Sequence, residues 1–347
     1  MQQVGIAPTD STPAVAPGQR MLFLVDPLDS LLAHHDTSVA LMEAAQQRRH
    51  AVWVATGRDL EAERGTAIVA AQRIDITPAR LEDGRWHPAR PWYRVTETRR
   101  RPVDDFDVVF VRTDPPVEAN YLRATFLLDL VDPKRTRILN SPRGLREANE
   151  KLFALREPGL GPQSFVSANL DRIVERVQEW GKAVLKPTDA MAGRGIVILT
   201  PDDPNLRSLI EMSTLRGAQH VVVQRWVPNA EMGDRRVIVL DGEPIGVVRR
   251  VAGEGEFRHN MASGAAAVAD EVSARDREIC DILRPHLREL GLGFVGLDVI
   301  AGQLTEVNVT SPTGLREIQA LTGADIAGEV IEWAAANAPA SIQGAVK

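Results

Sequence analysis

A single cysteine among 347 residues, Cys280, excludes an intramolecular disulfide and any multi-cysteine zinc centre, and it suits a reducing compartment. An excess of positive charge is also missing. Lysine and arginine number 41 against 47 aspartates and glutamates, a net charge of −6, which leaves no broad basic footprint for nucleic acid. No apolar run approaches the ~20 residues of a membrane-spanning helix. The first residues hold no basic stretch followed by an apolar core, so no signal peptide is expected and the chain reads as cytoplasmic. What is present is ordinary for a soluble globular protein: 44% apolar and 25% charged residues. The length suffices for two domains, or three small ones, with real cores.

Residues 1–19, rich in Pro, Ser, Thr and Ala, read as a disordered tail. Residues 21–27 read as a buried strand, and residues 36–50 as a helix capped by Thr37 or Asp36. Residues 51–56 give the next strand, so the chain opens as a βαβ unit on a parallel sheet. A further strand ends at Pro115-Pro116, and a helix follows it. Residues 137–156 predict a short strand, a turn at Ser141-Pro142 and one helix carrying Lys151. Residues 170–181 form an amphipathic helical pattern. From Val221 onward strands and hairpins dominate, with Asp241-Gly242 as a strong hairpin turn. Residues 274–290 predict a long helix in which Cys280 packs rather than reacts. No internal repeat is found.

The most informative stretch is residues 294–312. Its two halves, FVGLDVI and LTEVNVT, alternate as strands around Gly302. A three-residue loop of Ala301, Gly302 and Gln303 would pair Ile300 with Leu304. That register sets Asp298 opposite Glu306 and Gly296 opposite Asn308. Asp298, Glu306 and Asn308 then project from one face, with room beside them at Gly296. Facing carboxylates repel unless something neutralises them. A hard divalent cation would do so through carboxylate and amide oxygens while also holding phosphate. A solvated acidic face on an ordinary hairpin is the plainer alternative.

Upstream, Lys186 ends a strand and is followed by Ala190, Ala192, Gly193 and Gly195 before another strand begins. Small residues let backbone N–H groups approach phosphate oxygens, and the lysine offsets their charge. The order is neither that of a P-loop nor that of a dinucleotide fingerprint, since both open a helix. A plain hairpin turn is the competing account. In residues 221–236, Gln224, Trp226 and Val227 end a strand stopped by Pro228. That segment suits an adenine, with its edge read by backbone groups and its ring covered by Trp226 and Val227. Trp226 taken alone reads as a core aromatic. Asp234 and Arg236 share a face of the next strand, where a weak surface ion pair is the plainer account.

Together, NEKLF, LKPTDAMAGRG, GDRRVIVLDGEP, RHNMASG and FVGLDVI…LTEVNVTSPTGLREI closely resemble the bacterial glutathione synthetases, members of the ATP-grasp superfamily. The likeness includes LVDPLDSLLAHHDTSVALMEAA and VFVRTDPP, and runs from Met21 to about Ile331. It implies an α/β (α+β ATP-grasp) fold: a small N-terminal parallel-sheet domain followed by the two-lobed ATP-grasp fold. The expected boundaries are 20–140 for the N-terminal domain, 141–220 for the central lobe and 221–340 for the C-terminal lobe. The resemblance implies an ADP-forming ligase that joins γ-glutamylcysteine to glycine through an acyl phosphate, in a homo-oligomer, a tetramer by that likeness. ATP and Mg²⁺ are the implied cofactors, with two ions expected and Mn²⁺ as a substitute. Position by position, the phosphate lysines fall on Lys151 and Lys186, the metal ligands on Asp298, Glu306 and Asn308, and the arginine after the hinge on Arg236.

Residues 251–267 are the expected lid, with Arg258 and Asn260 touching phosphate or substrate. Arg112, at a strand end, is expected beside the peptide substrate. Two departures touch substrate choice. Ala190 and Ala192 stand where the family carries glycine, and the lid run Ala265–Val268 lacks the usual glycines and arginine. They raise a second reading, an ATP-grasp ligase for a different amino acid or peptide. A third, a nucleotide-binding protein without catalysis, is opposed by the retained polar residues.

Overall fold

The computed structural model describes residues 18–261 and 264–339. The expected tail therefore lies outside the described residues except for Gly18 and Gln19. The N-terminal part comprises β1 (Arg20–Leu24), α1 (Thr37–Gln47), β2 (Ala51–Ala55), β3 (Leu60–Glu63), β4 (Thr66–Ile76), β5 (Arg80–Glu82), β6 (Arg85–His87), β7 (Tyr93–Pro102), β8 (Val108–Val111), α2 (Ala119–Leu128) and β9 (Arg137–Leu139). Strands β2, β1, β8 and β9 run parallel in that order. Their cores, Met21–Leu24 and Val108–Val111, are buried without alternation, as expected of strands covered on both faces. Asp36, not Thr37, caps α1: its carboxylate accepts from the amides of Ser38 (2.6 Å) and Val39 (3.1 Å).

The sheet is mixed rather than purely parallel. β4 lies antiparallel to β2, and both β3 and β7 pair with β4. Sequence reading missed this ribbon because β7, YRVTETRRRP, has no buried residue and so no apolar alternation to detect. A second correction concerns the helix expected to carry Lys151. It is two helices, α3 (Pro142–Glu147) and α4 (Glu150–Phe153). Ala148 is extended, and Asn149 starts a new helix by accepting from the amides of Lys151 (3.2 Å) and Leu152 (3.1 Å).

The central lobe holds β10 (Ser164–Ser167), α5 (Leu170–Trp180), β11 (Ala183–Pro187), β12 (Val197–Leu199), α6 (Leu206–Ser213) and β13 (Val221–Arg225). Its antiparallel sheet runs β10-β13-β11-β12. It has a core of its own, built on Ile173, Val177, Leu185, Ile210, Val221 and Val223.

The C-terminal lobe contains β14 (Asp234–Leu240), β15 (Glu243–Val251), β16 (Ala266–Ala269), α7 (Ala274–Glu289), β17 (Phe294–Ile300), β18 (Gln303–Asn308), α8 (Leu315–Thr322) and α9 (Ile326–Ala336). The sheet order is β16-β15-β14-β17-β18. Much of the uncharged run assigned to the lid, Ala266–Val268, is therefore part of an edge strand paired with β15. The rest of the expected lid is the segment between β15 and β16, of which Ala262 and Ser263 lie outside the described residues. Cys280 is fully buried on α7, and burial pushes its thiol up to about 12, which removes it as a nucleophile.

Two apolar clusters run continuously from the N-terminal sheet into the C-terminal one. The same junction holds a bidentate pair: Arg316 donates to both carboxylate oxygens of Glu43 at 2.9 and 2.8 Å, with both side chains buried. Fork geometry of this kind specifies register as well as adding energy. Among the described residues no helix is long and apolar enough to cross a membrane.

Candidate active site

The β17–β18 hairpin differs from expectation in its loop and agrees at its functional positions. Only Ala301 and Gly302 form the turn, both left-handed (φ 46° and 78°), so Ile300 pairs with Gln303 and Val299 with Leu304. A bulge at Thr305 then adds one residue and restores Asp298 opposite Glu306 and Gly296 opposite Asn308. The Thr305 hydroxyl holds the bulge by donating to Asp298 O (3.1 Å). The room expected at Gly296 is already taken. A β-carbon there would lie 3.1 Å from Arg236 Cδ and 3.0 Å from Pro312 Cβ.

Arg236 fills that space and donates from Nε to Asp298 Oδ1 (2.6 Å) and from Nη2 to Oδ2 (3.3 Å). Arg250 bridges Asp298 (3.0 Å) and Asp234. All four side chains are buried, so the Asp234–Arg236 surface pair considered from sequence is instead part of an alternating buried network. Burial opposes the charge on Asp298, but the two guanidiniums hold its carboxyl well below the usual range. Burial dominates at Asp234 and raises it to about 6 despite Arg250. Arg250 was not anticipated. In sequence it closes a hairpin and looks like a solvent-facing charge.

Glu306 pairs with the buried Lys151 at 3.3 Å, and Lys151 Nζ also donates to Ala190 O (2.6 Å). Lys186 is buried and its pKa is lowered by desolvation, with no ion-pair partner among the described residues. Glu150 was also missed. It accepts from the amides of Val309 (3.0 Å) and Thr310 (3.1 Å) and from the Thr310 hydroxyl (2.8 Å), fixing the chain just after Asn308.

These groups face one cavity of about 600 Å³, within the ~300–1,000 Å³ of small-molecule sites. Lys151, Lys186, Gly193, Gln224, Trp226, Val227, Asp234, Arg236, Arg258, Asn260, Arg112, Asp298, Glu306 and Asn308 all line it. Gly195 does not. It takes φ 69° in the turn, where a β-carbon would meet Pro187 Cγ at 2.9 Å, so its requirement is conformational. Ala192 is left-handed too (φ 55°), a conformation that costs an alanine about 1–2 kcal/mol relative to glycine. Trp226 is half-buried over Lys182 (Nζ 3.6 Å from the ring centroid), and its amide is committed to Lys182 O (3.0 Å). An adenine edge would therefore be read by neighbouring backbone groups.

The segment expected as the lid lies against the small-residue loop after β11. Arg258 donates to both oxygens of Glu256 (3.0 and 2.6 Å), and a β-carbon on Gly193 would lie 2.5 Å from Asn260 Oδ1 and 3.4 Å from Arg258 Cδ. Gly193→Ala is thus expected to raise KM for nucleotide about tenfold or more while moving Tm little, since it strains φ (+74°) and pushes Asn260 out. Steady-state kinetics beside a melting curve would check this. An unchanged KM would separate the lid from nucleotide binding.

At the junction with α8, the His35 imidazole contacts Glu317. That hydrogen bond raises its pKa, with burial and Arg236 opposing and Asp36 assisting. The sign follows from linkage. The contribution is full below the unfolded value of about 6.5 and is lost as pH rises through the higher folded value. The stability gap between wild type and His35→Gln should therefore be largest below about pH 6.5 and close above it, as denaturation at several pH values would reveal.

Residues 20–146 match the N-terminal domain of prokaryotic glutathione synthetase, and residues 150–323 match that enzyme's ATP-grasp domain. The chain belongs to the prokaryotic glutathione synthetase family. Glutathione synthetase of Thermosynechococcus vestitus is 49% identical over 90% of this chain and 98% of its own length. Glutathione synthetase of Coxiella burnetii is 38% identical over 89% and 94%. Among solved structures, D-cycloserine synthetase DcsG superposes with a TM-score of 0.60 at 16% identity, covering 91% of this chain and 99% of that one. The ATP-grasp ligase PsnB, with Mg and ADP, gives 0.57 at 19%, covering 92% and 98%. At such identities they show the shared fold alone.

ATP and Mg²⁺ are general to ATP-grasp ligases. The residues fit that ion. Asp298, Glu306 and Asn308 offer only oxygens suited to a hard cation. Asn308 Nδ2 donates to Gly296 O (3.3 Å), which leaves its amide oxygen as the free donor atom.

Proposed function

We propose that this glutathione synthetase family member joins the cysteinyl carboxylate of γ-glutamylcysteine to the amine of glycine, forming ADP, phosphate and glutathione. The observation that carries the reading is the meeting, in one cavity, of Lys151 and Lys186 with Asp298, Glu306 and Asn308. Phosphoryl transfer asks a protein mainly for positioning and charge stabilisation. The buried Lys186, without an ion-pair partner among the described residues, and the neighbouring Lys151 hold nucleotide phosphates. Asp298, Glu306 and Asn308 would hold Mg²⁺, two ions being expected with Mn²⁺ as a substitute, and the ion would neutralise charge at phosphate oxygens. Gln224, Trp226 and Val227 seat the base.

The carboxylate attacks the γ-phosphorus, ADP leaves, and the glycine amine displaces phosphate from the acyl carbon. Arg236, fixed by Asp298 and by Thr313 O (3.0 Å), stabilises the negative charge that develops in both steps. The lid, with Arg258 and Asn260, keeps water from the acyl phosphate. No side-chain nucleophile is needed, in keeping with the inert Cys280. The alternative of a different amino-acid or peptide substrate is not favoured. Its main support was the altered lid run, and most of that run belongs to an edge strand.

The same reading takes the chain as a cytoplasmic homo-oligomer, a tetramer. It divides near residues 140 and 220 into a substrate-facing domain and two lobes around the nucleotide. Phosphate release from ATP and Mg²⁺ tests the activity. Release that needs both γ-glutamylcysteine and glycine, with glutathione as product, is expected. Release independent of either would overturn the assignment.

A further inference from the structure

The short helix α4 is one turn long, yet three consecutive residues at its start reach different parts of the site. Asn149 donates from Nδ2 to Thr188 O (3.2 Å), and Lys151 donates from Nζ to Ala190 O (2.6 Å). Both carbonyls belong to the small-residue loop after β11. Lys151 also meets Glu306 of β18 at 3.3 Å. Glu150, between them, takes the chain that leaves β18. Its Oε1 accepts from the amides of Val309 (3.0 Å) and Thr310 (3.1 Å) and from the Thr310 hydroxyl (2.8 Å).

Residues 308–313 form a strap with Asn308 at one end and contacts to two buried arginines at the other. Arg112 Nη2 donates to Pro312 O (2.9 Å), and Arg236 Nη1 donates to Thr313 O (3.0 Å). Val309 is held from two sides, its amide by Glu150 and its carbonyl by Asn140 Nδ2 (2.7 Å). The Val309 N–H belongs to the peptide unit whose carbonyl is that of Asn308. Fixing that unit and the next one on a single oxygen fixes the backbone from which the Asn308 side chain leaves. Outer groups of this kind orient a metal ligand without touching the ion.

We infer that Glu150 is a positioning residue for the metal site: by holding the peptide units on either side of Val309, it sets Asn308 toward the cation and keeps the strap in register with Arg236. This rests on the proposed metal set of Asp298, Glu306 and Asn308. Lys151 follows on the same turn, so one short helix places a phosphate-holding cation and a metal ligand relative to each other. What the position needs is an acceptor oxygen, and an amide supplies one as well as a carboxylate does.

The test compares wild type with Glu150→Ala, Glu150→Gln and Thr310→Val. ADP binding is measured by titration calorimetry with and without Mg²⁺, beside kcat for phosphate release and Tm. Glu150→Ala should weaken ADP binding in the presence of Mg²⁺ and lower kcat, each by roughly 10- to 100-fold, as when an outer partner of a metal ligand is lost. Its ADP affinity without Mg²⁺ should stay near that of wild type. Glu150→Gln should restore both quantities, and Thr310→Val, which removes one of the three donors, should fall between. A Glu150→Gln defect as large as that of Glu150→Ala would overturn the inference, because the charge rather than the acceptor would then matter. So would a Glu150→Ala protein that changes in Tm alone, or that loses ADP affinity equally with and without Mg²⁺. If Glu150→Ala does not fold, Thr310→Val decides, and a wild-type response of its ADP affinity to Mg²⁺ would overturn the inference. A wild-type protein whose ADP affinity ignores Mg²⁺ would sink the metal set itself, and this role for Glu150 with it.

Discussion

Glu306→Gln is expected to lower kcat by roughly 10³-fold or more while Tm shifts by only a few degrees. Glu306 sits on β18 with its side chain 16% exposed, and among the described residues its one ion pair is with Lys151 at 3.3 Å. The amide keeps the shape and removes the charge. If Glu306 holds the cation with Asp298 and Asn308 as proposed, loss of its charge weakens cation binding, and the phosphates lose the charge that offsets them. Lys151 keeps its bond to Ala190 O (2.6 Å), so the fold retains its packing there. Phosphate release at saturating ATP, compared across Mg²⁺ concentrations, measures the effect. Residual turnover within tenfold of wild type would remove Glu306 from the metal set.

Asp298→Asn should abolish activity and also destabilise the protein. In wild type two carboxylates, Asp234 and Asp298, balance two guanidiniums, Arg236 and Arg250, all buried. Removing one charge leaves the network with an uncompensated buried cation, a loss of about 3–5 kcal/mol in comparable cases. The pH dependence carries a sign. The wild-type carboxyl is held well below the ordinary range, so its contribution is present above the unfolded value of about 3.9 and is lost as pH falls. That acid sensitivity should shrink in Asp298→Asn, and Asp234, raised to about 6 by burial with Asp298 adding to it, should titrate lower. Urea unfolding at several pH values gives both quantities. Equal stability of Glu306→Gln and Asp298→Asn would mean that the buried network contributes nothing beyond its role in the site.

These two substitutions also mark how much was legible beforehand. The pairing of Asp298 with Glu306 was read from a three-residue loop, and it stands although that loop is one residue shorter. The Thr305 bulge compensated that error, and a bulge leaves no period of its own in sequence. In the central lobe α5 was legible because it buries a regular apolar stripe on a sheet with its own core, whereas the short β10 and α6 were not read. The β4–β7 ribbon was hidden because its outer strand buries nothing.

Arg250 and Glu150 were missed for a related reason. Charged residues on a strand or a short helix read as solvated, and only partners from distant segments reveal them as buried. Arg250 finds Asp234 and Asp298 on neighbouring strands, and Glu150 finds Val309 and Thr310 about 160 positions away.

The sequence by itself determined many of the elements, the acidic hairpin and the family resemblance, because each depends on residue types at short spacings. Tertiary structure alone decided which charges neutralise one another, that Arg236 fills the space beside Gly296, that Gly195 turns the chain without facing the cavity, and that Arg112 buries one N–H with no partner among the described residues. These outcomes depend on burial and on which distant segments meet, and neither is encoded at the spacing of a motif.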